Sequence, residues 1–285
     1  MTPAGDADLF VAARGALLDA LEALDAHRHS VIVIGAQAIY LHTGAAAVGL
    51  AEATKDSDLA LDTRTLLDEP LLERAMTDAG FRRDLPSPQP GSWLNLADIP
   101  VDLMVPEMLA GGSGRRGARI PPHSKHATRR AAGLEAALID NAPMLVTALA
   151  VGDDRTYTAN VAGPAALLVA KLHKLGERQA TPGRLIDKDA HDLFRLLVAI
   201  PTEDLAAALH RLRDDELAGS ATGHALIYLN ELFAGSDAIG ARMAGRAEEG
   251  VGDPTTVAAS AALLAQDLLS SLRPGLRRSG TPRTR

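Results

Sequence analysis

The sequence contains no cysteine. That absence excludes disulfides, thiolate zinc sites and cysteine nucleophiles, and with them a disulfide-stapled secreted design. Aromatic residues are scarce, at 3% of 285 residues, although 47% of the chain is hydrophobic. The core must therefore be built from Ala, Leu, Val and Ile, where Ala and Leu runs favour helices and short Val/Ile runs favour strands. No apolar run approaches the ~20 residues of a membrane span. The N-terminal stretch "MTPAGDADLFVAARGALLDALEALDAH" has Asp6 and Asp8 where a signal peptide would carry a basic region. A soluble cytoplasmic protein with no membrane partner is expected. An excess of positive charge is also missing. The net charge of −7 argues against a chain that coats nucleic acid with general positive charge.

What charge there is lies unevenly. Arg115, Arg116, Arg119, Lys125, Arg129 and Arg130 fall between Gly114 and Ala131 with no acid among them. Five arginines occupy the tail from Arg273 to Arg285, again without an acid. The first segment reads either as a solvated loop or as a patch for a polynucleotide. No aromatic interleaving supports base stacking there, since Tyr40, Trp93 and Tyr157 are scattered.

Hydrophobic periodicity predicts a helix over Asp8 to Ala26, then "VIVIG", a short apolar strand closed by Gly35. A helix starts in "AQAIYLH". A second strand lies within Glu52 to Asp62, a helix over Leu66 to Ala79, and a loop over Leu85 to Pro90. Trp93 to Asp98 reads as a hairpin arm before a third strand, Ile99 to Val105. Leu109 to Arg119 is expected to be a flexible Gly/Ser/Arg loop. "MLVTALA" and "TYTANVA" predict two strands around Gly152-Asp153-Asp154. Beyond Gly163 the pattern becomes helical: Pro164 to Glu177, Ile186 to Ile200, Glu203 to Arg213, Leu217 to Leu232 and Thr256 to Leu272. The expected class is α+β. A small mixed sheet with helices fills residues 1–162, a mainly helical domain fills 163–272, and 273–285 form a disordered basic tail.

The stretch "TKDSDLALD", Thr54 to Asp62, holds the most informative pattern. On an extended strand, residues i and i+2 share a face, about 6.5 to 7 Å apart. Asp56 and Asp58 thus reach one space, while Ser57 points away. Asp102 interrupts the apolar strand "IPVDLMV", and an unpaired buried carboxylate is costly. If the two strands are neighbours, three acids converge and repel one another unless a hard cation sits among them. Magnesium takes such oxygen ligands, often together with substrate phosphates. Further on, Lys171, Lys174 and Arg178 share one helix face, and Asp189 and Asp192 are i, i+3 neighbours.

"IVIGAQAIYLH", "TKDSDLALD" and "VDLMV", in that order, resemble the nucleotidyltransferase superfamily related to DNA polymerase beta. "PAALLVAKLHKLGERQATPGRLIDKDAHDLFRLL", Pro164 to Leu197, is similar to the AbiEii-type branch, the toxin half of type IV toxin–antitoxin pairs. The resemblance implies a nucleotidyltransferase core. Asp56, Asp58 and Asp102 would hold Mg2+ or Mn2+, and Asp102 would also serve as base. Gly35 and Ala36 would approach the triphosphate at a strand-to-helix turn, although the family usually has Gly-Gly or Gly-Ser there. Lys171 and Arg178 would contact phosphates, and Asp189 would orient the lysine or touch the nucleotide. The implied activity is transfer of a nucleoside monophosphate from an NTP to an acceptor. An RNA end, in particular a tRNA, is the expected acceptor, and an antitoxin protein an expected partner. A small-molecule or protein acceptor, or a catalytically silent nucleotide-binding module, are the alternatives.

Overall fold

The computed structural model describes residues 6–44, 56–83, 89–112, 116–250 and 252–273. Thr54, Lys55, Arg115, residues 84–88 of the proline loop and the tail beyond Arg273 lie outside the described residues. The chain opens with helix α1 (Asp6–Ala23), then strand β1 (Val31–Ile34), buried on both faces as its unbroken apolar run demands. Helix α2 (Gly35–Thr43) starts directly from that strand. β2 (Ser57–Leu61), α3 (Leu72–Asp78), β3 (Arg82–Arg83), β4 (Ser92–Leu94) and β5 (Pro100–Pro106) follow. After a long excursion come β6 (Arg129–Ala131), α4 (Glu135–Ile139) and the hairpin of β7 (Asn141–Thr147) and β8 (Thr156–Ala162). The rest is helical: α5 (Pro164–Gly176), α6 (Asp187–Ala199), α7 (Thr202–Arg213), α8 (Gly219–Phe233), α9 (Ile239–Ala247) and α10 (Pro254–Ser271).

The strands form an open, mixed sheet in the order β3-β4-β5-β2-β1-β8-β7, with β6 on the other side of β5's end. β2 runs antiparallel to β1 and parallel to β5. β1 and β8 are also parallel. The chain is thus a mixed α/β N-terminal region followed by a largely helical stretch over α6–α10. One contiguous core joins the two, running from Leu17, Leu18 and Leu21 of α1 through the sheet to Leu168 and Leu172 of α5 and Leu268 of α10.

Two contacts fix the elements that carry the acids and the turn beside them. The Ser57 hydroxyl donates to the carbonyl of Ala13 at 2.8 Å, so α1 pins the start of β2 from the far side of the sheet. Arg195 of α6 closes the other end of α2. Its Nε donates to Thr43 Oγ1 at 2.7 Å, its Nη2 donates to Thr43 O at 3.0 Å, and its guanidinium lies 4.8 Å from the Tyr40 ring centroid. A buried cation at a helix C-terminus meets orphan carbonyls and the negative end of the dipole.

Three expectations change. The helix expected from Leu66 begins only at Leu72, because Pro70 lacks an N–H and its ring clashes with a preceding turn. α9 was not foreseen: its glycines, Gly240 and Gly245, lower its helix propensity. They are there for packing, since a Cβ on Gly240 would meet the Phe233 ring and one on Gly245 the Pro254 carbonyl. The third is the basic segment. It is not an unanchored loop, because Ala118, Ile120, Ala127 and Thr128 are buried. The Trp93 indole N–H donates to Ala127 O at 3.0 Å, and Arg129–Ala131 extend the sheet alongside β5.

Candidate metal centre

Asp58 and Asp102 are register partners in the parallel pair of β2 and β5. Neighbouring strands lie about 4.8 Å apart, so partners on one face stand side by side. Asp56, two residues before Asp58, reaches the same space. One carboxylate oxygen from each of Asp56, Asp58 and Asp102 lies within 4.8 Å of the other two. All three residues are half-buried. The apolar residues behind them fix this placement, since Leu59, Leu61, Val101 and Leu103 are fully buried.

Crowding has an electrostatic consequence. Burial, then the charges of Asp56 and Asp102, push the Asp58 carboxyl up to about 7, against the opposing pull of Lys174 and Arg129. Asp102 is also raised by burial, and Arg129 and the Ser92 hydroxyl partly offset that. The cluster is a set of hard oxygen donors held close together on a partly buried floor. It can coordinate a divalent cation.

Gly35 sits against this cluster. Its φ is +69°, a backbone conformation that favours glycine, and a Cβ there would collide with Asp58 Oδ2. The turn from β1 into α2 therefore has glycine for two independent reasons. Ala36 is half-buried on the first turn of α2.

The acids open into a cleft of ≈ 890 Å3 between the sheet and α5. Gly35, Asp56, Asp58 and Asp102 line its floor, with Ile34, Leu134, Leu167 and Ala170 as apolar wall. Most of its charged lining beyond the acids of the floor is cationic, from Arg116, Arg129, Arg130, Lys171, Lys174, Arg178 and Arg184, with Glu177 as an acid among them. A space that joins an acidic floor to a basic wall suits a metal-bound polyphosphate.

The helix face foreseen from the spacing of Lys171, Lys174 and Arg178 is organised by Asp189. Lys171 Nζ lies 2.8 Å from Asp189 Oδ1 and 2.6 Å from Asp192 Oδ2, and Lys174 Nζ lies 2.9 Å from Asp189 Oδ1. Arg178 Nη1 donates to Asp189 Oδ2 at 3.3 Å. Burial lowers the ammonium of Lys171, but the two carboxylates outweigh it and hold the group above its ordinary value. Burial raises Asp189, and the two lysines outweigh that and hold it well below the usual carboxylate range. Asp189 is 2% exposed and stands behind the cations, where it orients them. Lys171 is buried by its two partners, whereas the Lys174 side chain is 39% exposed and more open to the cleft.

Sequence reasoning counted Arg129 only among the charges of a basic segment. In the structure its Nη2 is 2.7 Å from Asp102 Oδ2 and 4.0 Å from Asp58 Oδ1. It arrives there because β6 pairs with β5, Met104 opposite Arg129. Gly91, at φ +81°, passes so close to Leu103 O and Arg129 N that a Cβ would not fit. No local pattern links Arg129 to Asp102.

Comparison with protein-family models, with curated proteins and with solved structures finds no match to this chain. Among the described residues, no helix is long and apolar enough to cross a membrane.

Proposed function

We propose that the protein is a metal-dependent nucleotidyltransferase of the DNA polymerase beta-like type, in the AbiEii-like branch. The observation that carries the reading is the convergence of Asp56, Asp58 and Asp102 on the floor of a cation-walled cleft. The donor set fits Mg2+ or Mn2+, being all oxygen and gathered within 4.8 Å. Asp56, Asp58 and Asp102 would hold the ion. When bound, it would neutralise phosphate charge and polarise the phosphorus that is attacked.

The chain's own residues supply the rest. Lys174 and Arg178 face the triphosphate, and Asp189 keeps them and Lys171 pointed together. The backbone at Gly35 forms the floor next to Asp58. Asp102, beside Asp58 on the floor of the cleft, would serve as the base. It accepts the proton of the acceptor hydroxyl as that oxygen bonds to the α phosphorus. The bond to pyrophosphate breaks on the opposite side, and the cationic wall takes up the charge of the leaving group. Arg116 and Arg184, both exposed at the cleft, favour a polyanionic acceptor, an RNA end such as that of a tRNA. Pairing with an antitoxin follows from the same family reading.

The test is label transfer from each α-labelled NTP, with magnesium, to total RNA and to protein extract. An RNA band labelled by the wild type and not by Asp56→Ala/Asp58→Ala supports the proposal. Label on protein alone moves the acceptor class to protein. No label on either removes the RNA-directed reading.

A further inference from the structure

The contacts of Arg129 divide into one strong set and several weak ones. Its Nη2 is held at 2.7 Å by Asp102 Oδ2, with Asp58 Oδ1 at 4.0 Å. The same Nη2 lies 3.2 Å from Met104 Sδ, a weak acceptor. Nη1 reaches Gln89 Oε1 only at 3.4 Å, and Nε–H, although buried, has no acceptor among the described residues. A guanidinium offers five donors, and this one is anchored only by the acids. Its side chain is 26% exposed and faces the cleft, which gives it room to move.

We propose that Arg129 is the built-in counter-ion of the Asp56–Asp58–Asp102 cluster, and that a divalent cation binds by displacing it. The inference rests on the reading of that cluster as a metal centre. A guanidinium beside Asp102 and a dication on the same carboxylate repel each other, and the acid side chains are only 13–18% exposed, which limits screening. The dication and the salt bridge therefore compete for Asp102, and binding of one weakens the other. The exchange also selects by charge. A monovalent ion replaces one positive charge by one, with no electrostatic gain, and loses the charge-assisted hydrogen bond. A dication doubles the charge at the carboxylates. Arg129 thus bars sodium and potassium from the cluster and admits magnesium or manganese. It acts on specificity through the carboxylates it is paired with.

Two measurements on the full chain decide this. Mn2+ binding is titrated by electron paramagnetic resonance in wild type, Arg129→Lys and Arg129→Gln, with Asp58→Asn as the control that loses a ligand. Arg129→Gln is expected to bind Mn2+ roughly tenfold more tightly than wild type, with Arg129→Lys between them. Added KCl is expected to weaken Mn2+ binding more in Arg129→Gln than in wild type, against tetramethylammonium chloride at equal ionic strength. Independently, the rate of phenylglyoxal modification at Arg129 in wild type, read by mass spectrometry, is expected to rise when Mn2+ is added. This second readout needs no variant to fold. Equal or weaker Mn2+ binding in Arg129→Gln, or an Arg129 reactivity that Mn2+ leaves unchanged, overturns the counter-ion role while the metal centre stands. Mn2+ binding that is absent, or indifferent to Asp58→Asn, sinks both.

Discussion

Asp58 on β2 and Asp102 on β5 are register partners across a parallel strand pair, and Ser92 of β4 is the partner of Asp102 on its other side. The sheet thus sets two carboxylates side by side at a fixed spacing, with no loop between them. Rigid strands hold a site more precisely than loops do. A cation bound there should therefore stabilise the whole fold. Saturating Mg2+ or Mn2+ at about 100 times its dissociation constant is expected to add about 2.7 kcal/mol. Thermal unfolding with chelator and with metal measures this. Asp58→Asn and Asp102→Asn should unfold at temperatures that metal does not move. A metal-induced shift that survives in both variants would place the ion elsewhere.

Gly35 makes a sharper demand on the chain. Alanine at this position must take a positive φ and also push against Asp58 Oδ2. The backbone cost alone is about 1–3 kcal/mol, and the collision adds to it. Gly35→Ala is expected to lose at least about 2 kcal/mol in urea denaturation, and to lose metal binding because Asp58 is displaced. Gly183, with open space around it, is the control: Gly183→Ala should change stability little. Equal effects at the two positions would refute the argument.

The buried pair of Asp189 and Lys171 should shape the pH limits of stability. Asp189 is held below its unfolded value. Its stabilisation is complete above the unfolded carboxylate value of about 3.9 and is lost as pH falls through the lower, folded value. Lys171 is held above its ordinary value, so its share is complete below about 10.4 and is lost only as pH rises beyond that. Between these limits the group contributes a constant amount. Asp189→Asn is expected to flatten the acid limb of a stability-against-pH curve. Lys171→Met removes the cation that lies 2.6 Å from Asp192 Oδ2, and is expected to cost about 3–5 kcal/mol at neutral pH. An acid limb in Asp189→Asn as steep as in wild type would show that other carboxylates set it.

Much of this was legible in the sequence because each signal was local. β1 is an unbroken apolar run, α5 opens with Pro164 at its first turn, and the Asp56/Asp58 spacing names a strand face by itself. The pairing of Asp102 with Asp58 could be posed only as a condition, since nothing in a sequence states which strands are neighbours. Arg129 was out of reach for the same reason. Its role depends on a parallel strand pair that joins residues 104 and 129 across an irregular segment. The glycines of α9 misled because propensity weighs a residue alone, whereas Gly240 is set by the Phe233 ring that packs on it. The likeness of ordered motifs suggested an enzyme class, and the placement of the acids and cations is compatible with it.

The exposed part of the cationic wall gives the last prediction. Arg116 and Arg184 line the cleft and are both exposed. On the proposed RNA-directed reading they would meet phosphates of the acceptor rather than hold the fold together. Neutralising phosphates releases counter-ions, and for single strands log K falls with log salt by about 0.7 per contact. Arg116→Gln/Arg184→Gln is expected to reduce that slope by about 1.4 for a short single-stranded RNA, measured by fluorescence anisotropy across a potassium chloride series. Urea stability should stay within about 0.5 kcal/mol, as for exposed positions in general. Mn2+ affinity should be unchanged, because neither residue contacts the acids. A salt slope equal to that of the wild type would mean that RNA, if bound, does not run past these two arginines. The acceptor would then approach the acids from another side of the cleft.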